Sequence, residues 1–180
     1  MPHKKRRMKR HAVVQPSDPS YRLIPLTQGQ NAIVDSEDLE WLSQWNWHAL
    51  WCPDTKSFYA KRVVGRGTLG MHSAILRCSP TEQGDHINHD TLDNRKQNLR
   101  KSTHQQNGTN RKMNAKNTSG FRGVSWIESE GKWRAALGCN GRQRIVGRYK
   151  TAEAAACAYD EAARINHGAY ANLNFPTQAP

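Results

Sequence analysis

Long apolar runs are absent from this 180-residue chain, whose mean hydropathy is −0.88. No run approaches the roughly 18 apolar residues that a membrane-spanning helix needs. The N-terminal segment also lacks the apolar centre of a signal peptide. These absences predict small hydrophobic cores and a soluble, cytoplasmic protein with no membrane partner.

Cysteine is sparse as well, with four residues scattered along the chain and no C-x-x-C pair. Zinc ribbons and disulfide frameworks both depend on characteristic cysteine spacings, so neither is supported. Free thiols in a reducing compartment, and no zinc, are the simpler expectation. The residues concerned are Cys52, Cys78, Cys139 and Cys157.

Acidic residues are few relative to basic ones: Asp and Glu number 15, whereas Lys and Arg number 27. The resulting net charge of +12 predicts a polyanionic partner, most simply nucleic acid. Residues 1–20 begin MPHKKRRMKRH and are predicted to form a disordered basic arm that contacts phosphates without sequence preference. The same run resembles a nuclear localisation signal, which is the alternative interpretation.

Two larger segments follow, 21–110 and 120–176, and the basic, polar residues 111–119 between them are interpreted as a linker. The first segment carries strand-like runs at YRLIPL, AIV and FYAKRVV, with a Trp-rich segment between them. A short helix is predicted from Asp35 or Ser36. Its tryptophans could stack on bases, but helical spacing with neighbouring leucines favours a small core instead. The tryptophans considered for stacking are Trp41, Trp45, Trp47 and Trp51, and the predicted core set is Leu39, Trp41, Leu42 and Trp45.

Residues 84–110 contain few apolar side chains and many Asp, His and Asn residues. Asp85 and His86 precede a β-branched residue and then turn formers, which is typical of a strand end. Residues 99–102 are predicted to form the returning strand. The few apolar side chains here are expected to anchor a polar site.

A short helix is predicted next, because Thr103 and Gln106 match a capping box and Asn107 falls in the second turn. This order of elements can bring Asp85, His86 and Asn107 together. Carboxylate and amide oxygens suit Mg²⁺, with Mn²⁺ as an alternative, and a histidine can take a proton from water near neutral pH. A metal and a general base beside a phosphodiester indicate a nuclease. An EF-hand is excluded, since its required Gly and final Glu are missing.

The pattern D-H-I-N-x-D-x-L-D-N-R-x-x-N-L-R, followed by T-x-x-x-N, resembles the HNH endonucleases of the phage and intron homing type. The resemblance implies that His86 activates water, and that Asp85 and Asn107 hold one divalent metal. It also implies that Asn98 braces the loop through hydrogen bonds to the backbone. His72 matches the histidine of the family's upstream helix and is included in the catalytic set.

Three positions depart from the HNH pattern. Ser73 stands where Arg is usual, which removes a phosphate-contacting side chain. His89 replaces the usual turn glycine, and Gly84 stands where an apolar residue is common. The changes at His89 and Gly84 do not touch the proposed chemistry.

Residues 120–176 are predicted to form three strands followed by one helix, with small Ala faces packed on the sheet. Thr151 is the expected cap, and Gly168 lies beyond the helix end. The sheet's other face would display basic and aromatic side chains that can enter a DNA major groove. The expected strands are 121–126, 132–137 and 142–149, with an Asn140–Gly141 turn, and the face residues are Arg122, Trp126, Arg134, Arg142, Arg144 and Arg148.

The motifs FRGVSW, GKWRA, GRY, TAEAAAxAYDEAA and LNFP resemble the plant ethylene-response-factor (AP-two type) DNA-binding domain over nearly this whole segment. Ser125 and Ile127 stand where plant domains carry base-reading Arg, and Ile145 replaces a Trp, so the plant target sequence is not carried over. Trp133 has an alternative role in the core. The residues that the resemblance implies on or near DNA are Arg122, Gly123, Trp126, Trp133, Arg134, Arg142 and Arg144.

The expected fold class is α+β: a small ββα-metal HNH unit plus a three-stranded antiparallel sheet packed on one helix. The expected function is a metal-dependent, homing-type DNA endonuclease, targeted to double-stranded DNA by its C-terminal domain and acting as a monomer or weak dimer. No small-molecule cofactor is expected, and the resemblance places the protein in a prokaryotic or phage-infected cell. The alternatives are a non-catalytic, sequence-specific DNA-binding regulator and, with no stacking motif to support it, an RNA-binding protein.

Overall fold

The computed structural model describes residues 10–109, 113, 117–139 and 141–176. The chain divides into two compact units, with the division between Ser102 and Thr103. Residues 1–9 of the predicted arm, most of the predicted linker 111–119, and Asn140 of the predicted turn lie outside the described residues.

The described part of the first unit consists of seven short strands and two short α-helices. In chain order they are β1 (Tyr21–Pro25), β2 (Asn31–Asp35), α1 (Leu39–Ser43), β3 (His48–Cys52), β4 (Ser57–Val64), β5 (Gly67–Gly70), α2 (Met71–Ile75), β6 (Gln83–His86) and β7 (Leu99–Ser102). β1 and β2 form an antiparallel hairpin, β3, β4 and β5 form a sheet in that order, and β6 and β7 form a second hairpin. The predicted strands at YRLIPL, AIV, FYAKRVV and 99–102 are confirmed as β1, β2, β4 and β7.

The core of this unit is small, as the composition predicts. Trp47 is almost fully buried, and its Nε1–H donates to the Leu42 carbonyl at 2.8 Å. Trp45 is 45% exposed, so its predicted place in the core is wrong: α1 ends at Ser43, and helical spacing no longer applies beyond it. The buried cluster comprises Ile24, Leu26, Ala32, Val34, Leu42, Trp47, Ala49, Ala60, Met71, Ile75 and Leu99.

The helix predicted near Asp35 starts as a 3₁₀ turn at Ser36–Asp38 and continues as α1. Asp35 does not cap it, because its Oδ2 instead accepts the backbone N–H of Lys96 at 2.8 Å. An isolated parallel bridge joins Ile33 to Asp93. The loop between β6 and β7 is therefore tied to β2.

The second unit carries the predicted sheet and helix. Its elements are α3 (His104–Thr109), β8 (Val124–Ile127), β9 (Lys132–Cys139), β10 (Arg142–Tyr149) and α4 (Ala152–His167). The three strands are antiparallel in the order β10–β9–β8. Small residues of α4 pack on the sheet, in a buried cluster of Val124, Ala135, Leu137, Ala155, Ala156, Tyr159 and Ala163.

Local chemistry sets the ends of these elements. The Thr151 Oγ1 accepts the Ala154 N–H at 3.1 Å, which confirms the predicted N-cap. β8 begins later than expected, because Gly123 has a φ of +70° and lies against Tyr159, where a side chain would overlap the ring. Helix α4 is too polar and short to cross a bilayer, and no other helix in the described residues could do so.

The strand register corrects the expected DNA-facing side of the sheet. Cross-strand partners share a face, and Trp126 pairs with Trp133, two residues from the buried pair Val124 and Ala135. Trp126 therefore lies on the helix side of the sheet. Arg142 and Arg144 pair with Cys139 and Leu137 and share that side, whereas the opposite, open face carries Ser125, Ile127, Lys132, Arg134, Gln143, Ile145 and Arg148.

Candidate active site

The β6–β7 hairpin buries two titratable side chains in an otherwise polar segment. In the antiparallel register Asp85 lies opposite Arg100. His86 lies opposite Leu99, which belongs to the core. Asp85 and His86 are only 6% and 5% exposed. Their burial requires partners, because an unpaired polar group in the interior is costly.

Asp85 is held by a charged partner. The Arg100 Nε–H donates to Asp85 Oδ2 at 2.8 Å, and the two side chains are 17% and 6% exposed. A carboxylate has two oxygens and several lone pairs, so it can bind a guanidinium and a second cation together. Arg100 therefore fixes the orientation of the carboxylate without excluding a metal from it.

His86 is oriented by Asn94, which is fully buried. Asn94 donates its Nδ2–H to the Leu92 carbonyl at 3.0 Å, which turns its Oδ1 toward His86 Nε2 at 3.4 Å. An acceptor there favours the tautomer with the hydrogen on Nε2 and the lone pair on Nδ1. Burial lowers the pKa of His86, although the hydrogen bond to Asn94 and the charge of Asp85 oppose the shift.

The loop between the two strands is braced by Asn98. Its Oδ1 accepts the Asn88 backbone N–H at 2.9 Å, and its Nδ2–H donates to the Asp93 carbonyl at 2.8 Å. These are the backbone hydrogen bonds expected of a bracing residue. His89 has a φ of +63°, which explains why glycine is usual at this turn.

Asp93 is the second paired carboxylate of the loop. Arg95 donates to both of its oxygens at 2.8 Å, and Asn88 Nδ2 donates at 3.2 Å. Burial alone would raise the pKa of Asp93, but the hydrogen bonds from Arg95 outweigh burial and lower it. This carboxylate is committed to holding the loop.

His72 lies directly against His86, with ring centroids 4.9 Å apart at an interplanar angle of 67°. Its ring fills a gap between Gly70 and Gly84. A Cβ at position 70 would lie 2.6 Å from His72 Cε1, and a Cβ at position 84 would overlap His72 Cδ2. The unusual Gly84 is thereby explained, since only glycine leaves room for the ring.

The surroundings of His72 keep it neutral. Burial, with the nearby His86 and Lys61, lowers the pKa of His72 to about 3. Its Nδ1 is buried and has no hydrogen-bond partner among the described residues. Such a ring favours a packing role over proton transfer near neutral pH.

The predicted capping box at the start of α3 is confirmed. The Thr103 N–H donates to Gln106 Oε1 at 2.8 Å, and the Gln106 N–H donates to Thr103 Oγ1 at 3.2 Å. Asn107 lies within this helix, which belongs to the second unit. Its role as a metal ligand stays a prediction.

Comparison with known proteins agrees with this geometry. Residues 80–109 match the family described as HNH endonuclease. The chain is also 32% identical over 89 residues to Protein 3.8 of Escherichia phage T7, an alignment that covers 49% of this chain and 73% of the phage protein. The chain belongs to the protein 3.8 family. No solved structure matches it.

Divalent metals are general in HNH nucleases, and the donor chemistry of this protein 3.8 relative is compatible with one. No group of three or more His, Cys, Asp or Glu side chains that could hold a metal occurs in the described ranges. A single Mg²⁺ does not need such a group, because it keeps several waters and uses substrate phosphate oxygens. Asp85 supplies a hard oxygen donor of the kind that the ion prefers, so this residue fits the ion.

In the second unit, the residues expected on DNA are divided between different surroundings. Arg134 donates to Ser125 Oγ at 3.2 Å on the open face, and Arg148 pairs with Glu130 at 2.8 Å. The Trp126 and Trp133 ring centroids lie 5.1 Å apart, on the helix side of the sheet. Arg122 and Gly123 precede β8. DNA binding by these residues, and by Arg142 and Arg144, stays a prediction.

Sequence reasoning missed three residues of the site in this protein 3.8 family member. Asn94, Arg100 and Tyr59 all contact the predicted residues, and the Tyr59 ring lies 6.1 Å from both His72 and His86. Asn94 and Arg100 belong to the D-N-R and N-L-R parts of the motif, whose polar residues could have indicated them. No local signal marks Tyr59, which comes from a different sheet.

Proposed function

We propose that this protein is a metal-dependent HNH DNA endonuclease that hydrolyses phosphodiester bonds. The observation that carries the proposal is the buried His86, oriented through Nε2 by Asn94 and adjacent to Asp85, inside the segment that matches HNH endonucleases. A solvated loop would not require this set of buried polar contacts.

His86 acts as the general base in the proposed reaction. With its hydrogen on Nε2, the Nδ1 lone pair takes a proton from a water molecule that attacks phosphorus. The bond from phosphorus to the 3′-oxygen breaks, and the leaving 3′-oxygen takes up a proton from solvent. Asn94 maintains the tautomer, and Asn98 keeps the loop from shifting relative to the ring. The packed His72 ring limits rotation of His86.

Asp85 and Asn107 would hold the divalent metal, Mg²⁺ first and Mn²⁺ second. The ion supplies, when bound, a Lewis acid that stabilises charge developing on the phosphate oxygens. Arg100 keeps the Asp85 carboxylate in one orientation. Its guanidinium also adds positive charge beside the site.

We further propose that residues 120–176 bind double-stranded DNA and target the nuclease of residues 21–110. The basic composition of the chain and the open sheet face with Arg134 and Arg148 support this role. The homing-type assignment rests on the likeness of the pattern from Asp85 to Asn107 to those enzymes. It is tested by offering the protein its own genomic locus with and without the encoding gene, since a homing enzyme cuts the copy that lacks it.

The direct test is nicking of supercoiled plasmid, with Mg²⁺ or Mn²⁺, by the wild type and by His86→Ala. Loss of a general base should lower the rate by about 10² to 10⁴, while DNA binding persists. Gln44→Ala, at an exposed position of the same unit outside the candidate site and the basic arm, is the control and should nick like the wild type. Thermal melting verifies that His86→Ala folds.

Two results would contradict the proposal. Nicking that survives His86→Ala would remove the assigned base. Binding without cleavage by the wild type, with either metal and on the native locus, would favour the DNA-binding regulator.

A further inference from the structure

One face of β4 borders the candidate site, and the reaction proposed above gives its residues no role. Ala60 on this strand is buried in the core, so its neighbours Tyr59 and Lys61 point to the opposite face. Both are partly buried. This face is therefore partly covered, yet open to a ligand.

Tyr59 fixes the position of this face relative to the general base. Its ring centroid lies 6.1 Å from that of His86 and 6.1 Å from that of His72. A phosphodiester within reach of the His86 imidazole would lie close to the Tyr59 ring. The described residues offer its hydroxyl no hydrogen-bond partner, so the hydroxyl is available to a substrate oxygen.

Lys61 brings positive charge to the same place. Its Nζ lies 5.9 Å from the Tyr59 ring centroid, and its charge contributes to lowering the pKa of His72. Within the described ranges no carboxylate lies within ion-pair distance of it. By contrast, Arg100 and Lys101 in the neighbouring hairpin are paired with Asp85 and Glu82. Lys61 is thus a cation at the site that no acidic side chain of the described residues neutralises.

We infer that Lys61 and Tyr59 form a phosphate-contacting subsite of the nuclease centre, which binds the backbone of the DNA strand to be cut. The inference rests on the proposed nuclease function and extends it to residues outside the HNH segment. Lys61 supplies charge to a phosphate, and the Tyr59 hydroxyl donates a hydrogen bond to a phosphate oxygen. Neither residue transfers the proton.

The test compares Lys61→Gln with Lys56→Gln, which removes the same charge from an exposed turn before β4. Plasmid nicking with Mg²⁺ gives kcat and KM, and binding of a 30-base-pair duplex in EDTA gives Kd across a range of salt concentrations. Lys61→Gln should raise KM several-fold and reduce the log–log salt slope by about 0.9, the value for one phosphate contact. Lys56→Gln should change neither, and Lys61→Arg should restore the wild-type slope because it keeps the charge.

Tyr59→Phe provides a second variant, which keeps the ring packing and removes only the hydroxyl. Its KM should rise about threefold to tenfold, as for the loss of one hydrogen bond, with an unchanged melting temperature. A nicking wild type whose KM and salt slope are unaffected by Lys61→Gln would overturn this inference alone. A wild type that does not nick would overturn it together with the proposed function.

Discussion

The β6–β7 hairpin and the C-terminal sheet are both rich in polar residues, but these residues differ in burial and in the contacts they make. In the β6–β7 hairpin, buried Asp85, Asn94 and Asn98 bond to other groups of the same hairpin. In the C-terminal sheet, basic side chains such as Arg142 and Arg144 are exposed. The polar side chains of the hairpin stabilise the hairpin itself, whereas many of those on the sheet are exposed and can contact a ligand.

This difference teaches how a polar segment can be told from a binding surface. A buried polar group needs hydrogen-bond partners, so its substitution leaves those partners unpaired in the interior and destabilises the fold. An exposed charge interacts weakly with its neighbours because water screens it. Substitutions in the hairpin should therefore change stability as well as activity, and those on the sheet should change binding alone.

The largest difference is expected when a paired carboxylate is removed from each region. Asp93→Ala leaves Arg95 and Asn88 without their partner. Because the Arg95 side chain is 29% exposed and can be rehydrated, the free energy of unfolding should fall by about 2 to 4 kcal/mol, less than for a fully buried pair. Glu130→Ala breaks the exposed pair with Arg148 and should cost less than about 1 kcal/mol. Urea denaturation measures both, and equal costs would erase the contrast between the regions.

A smaller effect is expected from one added methyl group. Gly84→Ala forces the His72 ring to move and should destabilise the first unit by about 1 to 3 kcal/mol, the usual range for overpacking. It should also lower kcat, because His86 loses its packed neighbour. Gly67→Ala is the control, since a Cβ there meets its nearest atom at an ordinary 3.8 Å. If both variants melt alike, the His72 ring is not confined as described.

Lowering the pH should destabilise the first unit, because His72 is protonated more readily in the unfolded chain than in the folded one. Its folded pKa of about 3 lies below the ordinary value of 6.5, so the unfolded chain binds a proton that the folded chain does not. Stability is therefore present above pH 6.5 and is lost as the pH falls toward 3, by up to about 1.4 kcal/mol per pH unit. His72→Phe should flatten the dependence of the melting temperature on pH between 7 and 5, and an unchanged slope would contradict a neutral, buried ring.

The smallest effects are expected on the C-terminal sheet. Arg134→Ala should reduce the salt slope of DNA binding by about 0.9 if the open face contacts phosphate. Trp126→Ala should leave that slope unchanged, because Trp126 lies on the helix side. Fluorescence anisotropy with a labelled duplex measures the salt slope for both variants. A larger reduction of the slope by Trp126→Ala than by Arg134→Ala would place DNA on the helix side of the sheet.

Local signals predicted much of the fold. β7, β10, the capping box at Thr103 and the cap of α4 at Thr151 are set by residues within a few positions of each other. Trp45 was misplaced because helical spacing was extended beyond the end of α1. The side of Trp126 was misjudged because strand register, which depends on pairing with β9, decides it.

The site was predictable only as far as its motif extends. His86 and Asn98 stand at motif positions. Asn98 makes the backbone hydrogen bonds expected of a bracing residue, and the role of His86 as the base stays a prediction. Tyr59 comes from β4, and its approach depends on how separate elements pack. The role of Gly84 was hidden for the same reason, since the ring that needs its space lies on α2.

The packing of His72 between Gly70 and Gly84 also has an evolutionary consequence. A larger residue at position 84 becomes acceptable when the residue at position 72 becomes smaller or when α2 is displaced, so the change at 84 is not easily inherited alone. Members of the family in which position 84 is apolar should then carry a different side chain at 72 or a displaced α2. Positions 70, 72 and 84 should therefore vary together among members of the family.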